Sequence, residues 1–259
     1  MERRESRPAM TIRAGPAGIN RIARRSIPDS LRARARAWRW RAESLIRKMT
    51  GKSIPWKSAW HAIGDSHAKY IFSGARGFQV HYLGPVTMHR VARDGRNFLR
   101  LQDFNVHDRD ILIWCLGEID VRCHIVKQAP LQTAAINVIA GKLAGSFLES
   151  VAEIQRDARQ LGTIVLAVIP PTDNVYDREY PMVGSLKERI EARNALNDAL
   201  REGCAARGFH FLDPYASFMD PAGALKEGMS DGNVHCGSAF ASLIVDQVRQ
   251  SALALRNTV

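Results

Sequence analysis

Residues 110–122 read DILIWCLGEIDVR, an apolar run that ends in a glycine followed by charged side chains. A second run, TIVLAVI at residues 163–169, is apolar at all but its first position. Strands of this kind are covered on both faces, as they are in a parallel sheet between two layers of helices. An antiparallel strand with one face in water would instead alternate apolar and polar residues.

Apolar runs of this type alternate with helical patterns through residues 59–259. This alternation predicts an α/β fold, a three-layer α/β/α sandwich with a central parallel sheet. Met88 to Arg90 read as the start of a further helix. We predict strands at 60–64, 78–83, 110–116, 163–169 and 209–212, and helices at about 66–73, 132–160, 184–207 and 238–255.

The positive charge of the chain is concentrated at its start. Residues 1–58 hold 16 of the 37 basic residues and 4 of the 26 acidic ones, so the body that follows is close to neutral. We predict a basic N-terminal extension over residues 1–58, disordered at first and then an amphipathic helix at about 28–49. Such a helix can lie on an anionic membrane surface, or its apolar stripe can dock onto the body and leave the arginines solvated. A mitochondrial-type presequence is a third, less favoured reading, because acidic residues occur.

Composition narrows the remaining function classes. The chain has 259 residues, of which 46% are hydrophobic and 24% charged, as in ordinary globular proteins. The neutral body lacks a basic footprint, so we expect no nucleic-acid partner beyond non-specific contacts of the extension. The four cysteines show no metal-ligand spacing, and no dinucleotide or Walker motif occurs, so we expect no metal and no cofactor. No secretory signal peptide is recognisable, so we expect a cytoplasmic protein, peripheral to the membrane if the extension binds there.

Small and ionisable residues follow several predicted strands. Gly64-Asp65-Ser66 follows the first strand, Gly84 the second and Gly117-Glu118-Ile119-Asp120-Val121-Arg122 the third. Asp231-Gly232-Asn233-Val234-His235 precedes the last helix. Ligand sites of parallel sheets lie beyond the carboxyl ends of the strands, so we expect these segments to form one site.

The residue types in these segments fit acyl transfer. A serine hydroxyl becomes a useful nucleophile when an adjacent base takes its proton, and histidine suits that task. A carboxylate fixes the imidazole tautomer, and backbone N–H groups at tight turns stabilise the oxyanion. We therefore predict Ser66 as nucleophile, His235 as general base and acid, and Asp231 as its orienting partner.

These segments resemble the conserved blocks of the SGNH (GDSL-type) hydrolases, a family of serine esterases and deacylases, over roughly residues 59–255. The resemblance implies a flavodoxin-like fold, with Ser66 from the first block, an oxyanion glycine at Gly84 and the Asp231–His235 pair from the last block. The third block resembles the Gly-Glu-Ser-Asp/Asn version of carbohydrate O-acetylesterases. The resemblance thus implies an ester substrate with a short acyl group on a carbohydrate.

The sequence departs from the family pattern at two places. The family's third-block asparagine, an oxyanion donor, is replaced by Ile119, so that Asp120, Arg122 or a backbone N–H has to take its place. The family's aspartate and histidine are separated by two residues, whereas three separate Asp231 from His235. An alternative role for Asp231 is therefore to shape an Asx turn before Gly232 without orienting His235.

Several site residues have more than one reading. Ser66 could be the N-cap of a short helix. Arg122 could clamp a carboxylate of the substrate or pair with Glu118 or Asp120, and Glu118 could bind substrate or anchor its loop. The same site could also serve a glycan O-acyltransferase or a non-catalytic glycan-binding domain, and the sequence does not indicate the oligomeric state.

Overall fold

The computed structural model describes residues 59–156, 158, 161–174 and 181–256. The predicted basic extension at 1–58 lies outside these residues. Five strands make one sheet: β1 (Trp60–Gly64), β2 (Phe78–Tyr82), β3 (Ile111–Cys115), β4 (Gly162–Leu166) and β5 (His210–Leu212). The α-helices are α1 (Ser66–Phe72), α2 (Met88–Phe98), α3 (Val126–Leu131), α4 (Ile136–Gln155), α5 (Leu186–Arg207) and α6 (Ser238–Arg256).

The sheet is parallel throughout, with strand order β2-β1-β3-β4-β5. This is the flavodoxin-like order, and the predicted fold class is confirmed. The order reverses between β1 and β3, and a crevice forms at such a reversal. The register places Gly64 between Tyr82 and Cys115, so the segments that follow β1, β2 and β3 leave the sheet side by side.

Two apolar layers enclose the sheet. One contains Trp114 with residues of α2, α4 and α5, and the other contains Ile113 with residues of α1 and α6. Successive residues of a strand face opposite sides, so neighbouring residues of β3 belong to different layers. The apolar run at 111–116 is therefore buried along its whole length, for the reason its composition indicated.

Two elements differ from the prediction by more than two residues at an end. The strand expected at 163–169 ends at Leu166, because its neighbour β5 has three residues and the last ladder contact is the Ala167 N–H donating to the Leu212 carbonyl. The helix expected at 132–160 begins at Ile136 and ends at Gln155. The residues before it form a π-helical segment, Asp120–Ile125, that continues into α3.

Among the described residues, no single helix has the length and apolarity to cross a membrane, although one pair bent by 119°, Asp120–Leu131 with Ile136–Gln155, meets the same criteria together.

Candidate active site

Ser66 lies where β1 turns into α1. Asp65 caps the helix: its backbone is extended and its Oδ1 accepts the His67 N–H at 2.9 Å. Ser66 is therefore the first helical residue rather than the cap, and its N–H has no acceptor within the helix. Gly64 is required before it, because a Cβ atom at that position would lie 1.9 Å from the Cys115 carbonyl oxygen.

The structure brings Ser66, His235 and Asp231 into one chain of hydrogen bonds. His235 Nε2 lies 2.9 Å from Ser66 Oγ, and His235 Nδ1 lies 3.1 Å from Asp231 Oδ2. An ionised carboxylate can only accept, so the ring proton is on Nδ1 and Nε2 accepts from the serine hydroxyl. This is the arrangement in which an imidazole can remove the hydroxyl proton.

The loop that carries Asp231 and His235 accommodates its additional residue through the carboxylate itself. Asp231 Oδ1 accepts the Asn233 N–H at 2.8 Å and the His235 N–H at 3.2 Å, while Oδ2 faces the imidazole. The Asp231 N–H also donates to the His235 carbonyl at 3.0 Å. Asp231 therefore makes both expected kinds of contact: its Oδ1 accepts the backbone N–H groups of the turn, and its Oδ2 faces His235.

The surroundings of His235 favour its neutral form. Burial lowers its pKa, and the nearby His67 lowers it further, while Asp231 and Asp65 act in the opposite direction; the net change is downward. The His67 ring lies 4.7 Å from the His235 ring, and the partly exposed Tyr70 ring lies 4.3 Å from it, centroid to centroid. A base with a lowered pKa remains unprotonated, and so able to accept a proton, at neutral pH.

Two backbone N–H groups are available to an oxyanion at this edge. One is that of Ser66, and the other is that of Gly84, for which the described residues contain no acceptor. Gly84 has φ +83°, which a residue with a side chain rarely adopts, and a Cβ there would have open space around it. Ile119, at the position of the family's asparagine, is buried and apolar, so it supplies no third donor.

Asp120 is not placed at the oxyanion position. Its carboxylate is fully buried and accepts the Met88 N–H at 2.7 Å and the His89 N–H at 3.3 Å, at the start of α2. Burial raises its pKa to about 7, although these two N–H groups favour the charged form. Asp120 therefore connects the third block to the start of α2, with its carboxylate buried away from solvent.

Comparison with solved structures identifies the fold. A proposed acylhydrolase of Bacteroides fragilis superposes with a TM-score of 0.57 at 13% identity, covering 79% of this chain and 91% of that one. A GDSL-like lipase of Bacteroides thetaiotaomicron superposes with a TM-score of 0.54 at 12% identity, covering 83% and 97%. The chain has the SGNH-hydrolase fold. No protein-family model and no curated protein matches the sequence.

A small pocket is lined in part by Val234, the residue before His235. Arg122 forms a two-point ion pair with Glu118 in its wall, with Nε to Oε1 at 2.6 Å and Nη2 to Oε2 at 3.2 Å. Of the two carboxylates expected as possible partners of Arg122, the structure pairs it with Glu118. The space in and above the pocket, much of it open to solvent, is about 280 Å³, and the pocket is lined by Glu118, Val121, Arg122, Ile169, Pro170, Pro171, Thr172, Arg189 and Val234.

Arg189, from α5, was not singled out in the sequence. It bonds the Gly184 carbonyl through Nη1 at 2.7 Å and pairs with Asp173 through Nη2. Within the described residues, its buried Nε has no hydrogen-bond partner. Arg189 reaches the pocket wall only because the fold packs α5 there, so no local sequence pattern indicates that it lines the pocket. Across the described ranges, no group of three or more His, Cys, Asp or Glu side chains is placed to hold a metal ion.

Tyr70 was also missed, although its spacing carried a signal. It follows Ser66 by four residues on α1, and residues four apart share one side of a helix. A tyrosine at that spacing from a nucleophilic serine faces the same crevice, which here places its ring against His235.

Proposed function

We propose that this chain is a serine hydrolase that cleaves esters through Ser66, His235 and Asp231. The observation that carries the proposal is the 2.9 Å separation of His235 Nε2 and Ser66 Oγ, with Asp231 on the opposite ring nitrogen. The fold it shares with the acylhydrolase and lipase structures supports the same class of chemistry.

The reaction would run in two halves. Ser66 Oγ attacks the ester carbonyl carbon while His235 Nε2 takes the hydroxyl proton, and the N–H groups of Ser66 and Gly84 bind the oxyanion. The tetrahedral intermediate then collapses, and His235 returns the proton to the departing alcohol. In the second half, water gives a proton to His235 and attacks the acyl–Ser66 ester. The bond to Ser66 Oγ then breaks, His235 returns the proton to that oxygen, and the carboxylic acid leaves.

We propose a short acyl group on a carbohydrate as the substrate class. The pocket holds little enclosed space, so only a small group would fit, and its wall combines apolar Val234 and Val121 with the polar Glu118, Arg122 and Thr172. A carboxylate and a guanidinium side by side can bond sugar hydroxyls as acceptor and donor. Tyr70 and Tyr82 are about half exposed, at 56% and 48%, and they border the serine on α1 and at the end of β2.

The test is turnover of p-nitrophenyl acetate combined with covalent labelling by a fluorophosphonate. We expect the intact chain to be labelled and active, and Ser66→Ala to be neither. Ser73→Ala is the matched control, because Ser73 is an exposed serine at the other end of α1. Equal turnover by the intact chain and Ser66→Ala would exclude the nucleophile.

The substrate class has a separate test. Release of acetate from O-acetylated oligosaccharides should exceed release from aliphatic acetate esters, and Arg122→Met should reduce this preference. Formation of an acyl-glycan product when an acceptor sugar is added would instead indicate a transferase. Sugar binding without fluorophosphonate labelling would indicate a non-catalytic binding domain. The observation in favour of that alternative is Ile119, whose side chain cannot donate a hydrogen bond to an oxyanion.

We propose, in addition, that the basic extension binds anionic membrane surfaces. The support is the charge distribution, with 16 basic and 4 acidic residues in 1–58. The intact chain should bind vesicles containing phosphatidylserine at low salt and release them at about 0.5 M salt, where charges are screened beyond about 5 Å. A chain with Arg32, Arg36 and Arg39 changed to Glu should bind the vesicles more weakly. Vesicle binding that changes neither with salt nor with these substitutions would refute the proposal.

A further inference from the structure

His67 follows the nucleophile, and both of its ring nitrogens face acceptors. Nδ1 lies 3.2 Å from Asp65 Oδ1, and Nε2 lies 3.2 Å from the carbonyl oxygen of Val234. A carbonyl oxygen can only accept, and so can an ionised carboxylate. A neutral imidazole has one N–H and would leave one of these buried contacts without a proton. The geometry is satisfied completely only by the doubly protonated ring.

The charges around His67 support the same protonation state. Asp65 is 1% exposed, and within the described part of the chain its Oδ2 accepts no hydrogen bond, so the imidazolium is the charge that balances it. Burial alone would lower the pKa of His67, but Asp65, Glu118 and the Val234 carbonyl together raise it to about 9. A buried charge needs such partners, and here two carboxylates and a carbonyl provide them.

The contact with Val234 connects His67 to the catalytic loop. Val234 immediately precedes His235, and the two imidazole rings lie 4.7 Å apart. A fixed positive charge at this distance disfavours a second positive charge on His235. His67 therefore acts on the base in two ways, by holding its loop and by opposing its protonation.

We propose that His67 is a permanent imidazolium at neutral pH, a positioning residue that latches the Asp231–His235 loop to α1 and keeps His235 unprotonated in mildly acidic solution. The catalytic consequence rests on the function proposed above, whereas the protonation state does not.

Each element packed against His235 contributes to this balance. From α1 come the Ser66 hydroxyl, His67 and Tyr70, and Asp65 lies before them. Asp231 comes from the loop of His235 itself, and its carboxylate and that of Asp65 favour the protonated form. Burial and His67 oppose them and prevail. Glu118, from the segment after β3, acts on His67.

The first test is a titration of the intact chain labelled with ¹⁵N-histidine and observed by NMR. We expect one imidazole to keep both ring nitrogens protonated at pH 8, and this signal to be missing in His67→Gln. We also expect the His235 signal, assigned with His235→Ala, to titrate below the ordinary value of about 6.5. The proposal is overturned if every imidazole has lost a proton by pH 7.5. This arm needs no enzymatic activity, and the doubly protonated imidazole is looked for in the intact chain itself.

The second test is the pH profile of kcat/KM on p-nitrophenyl acetate. In His67→Gln the amide N–H can still donate to the Val234 carbonyl, but the charge is gone. The acid limb should move up by at least about half a pH unit, so that activity at pH 5.5 falls about threefold more than activity at pH 8. A loss by the same factor at every pH would show a purely structural role and overturn the charge effect. Absence of turnover in the intact chain would contradict the proposed function and leave the NMR result to decide on His67.

Discussion

Two buried histidine–carboxylate pairs lie at opposite edges of the sheet. At the amino edge, His61 Nε2 lies 3.1 Å from Asp110 Oδ2, and at the carboxyl edge His67 Nδ1 lies 3.2 Å from Asp65 Oδ1. Both histidines are at most 5% exposed. The pairs differ in what the second ring nitrogen meets, which is another imidazole at the amino edge and a backbone carbonyl at the carboxyl edge.

That second partner decides the charge. His61 Nδ1 lies 2.9 Å from His81 Nε2, and a neutral His81 can donate its proton to a neutral His61. Burial and the neighbouring His61 lower the pKa of His81 to about 4, so His81 can act as a neutral donor in this contact. A carbonyl cannot donate, so His67 has to supply both protons.

The two edges also differ in what they offer a ligand. Asp110 is saturated by structural donors, since it accepts the Ala59 N–H at 2.7 Å and the His107 N–H at 2.8 Å. At the carboxyl edge a serine hydroxyl and the N–H groups of Ser66 and Gly84 are available. Similar residue types thus tie the start of two strands together at one edge and lie within the proposed catalytic site at the other.

The largest effect should come from removing one imidazole at each edge. His235→Ala should lower kcat at least about 10³-fold, because the serine loses its base. His61→Ala should leave kcat of the folded protein within about threefold but lower the free energy of unfolding by about 3 kcal/mol, because Asp110 loses its partner. Ester turnover and urea unfolding of both variants measure this, and a loss of kcat in folded His61→Ala would remove the distinction between the edges.

The next largest effect should follow from changing one oxygen of Asp231. In Asp231→Asn the amide can no longer fix the proton on His235 Nδ1, and kcat should fall about 10²- to 10⁴-fold. Asp110→Asn is the matched change at the amino edge and should leave kcat near that of the intact chain. Steady-state kinetics at pH 8 compare them, and an Asp231→Asn enzyme with unchanged kcat would show that the carboxylate only shapes the turn.

The two edges should respond to opposite ends of the pH scale. The raised pKa of His67 contributes stability that is complete below about pH 6.5 and is lost as pH rises through about 9, amounting to about 3 kcal/mol. The lowered pKa of His81 contributes stability that is present above about pH 6.5 and is lost as pH falls toward 4. Urea unfolding from pH 4 to 10 should show both losses, with His67→Gln lacking the alkaline one and His81→Phe the acidic one.

The smallest effect concerns the aromatic ring beside the base. The ring of Tyr70 can stabilise His235 when it becomes an imidazolium during the reaction, so Tyr70→Leu should lower kcat about two- to fivefold. Tyr70→Phe keeps the ring and should retain most of the activity. A Phe variant as slow as the Leu variant would assign the effect to the hydroxyl instead.

The sequence predicts the strands and the serine, aspartate and histidine because each carries a local signal. The apolar run at 111–116 indicates burial on both faces, and Ser66 stands at a strand end. The charge of His67 has no such signal, because its second acceptor, Val234, comes from 167 residues further along the chain. The contacts of Asp120 have no local signal for the same reason, since the N–H groups it binds belong to Met88 and His89.

The divided carboxylate of Asp231 links the backbone of its loop to events at the imidazole. An inhibitor attached to Ser66 that draws His235 into a tighter bond with Oδ2 also fixes the aspartate whose Oδ1 receives the Asn233 N–H. Deuterium uptake at that single exposed amide should therefore slow when the active site is occupied, which makes Asn233 an internal reporter of occupancy that requires no chromogenic substrate.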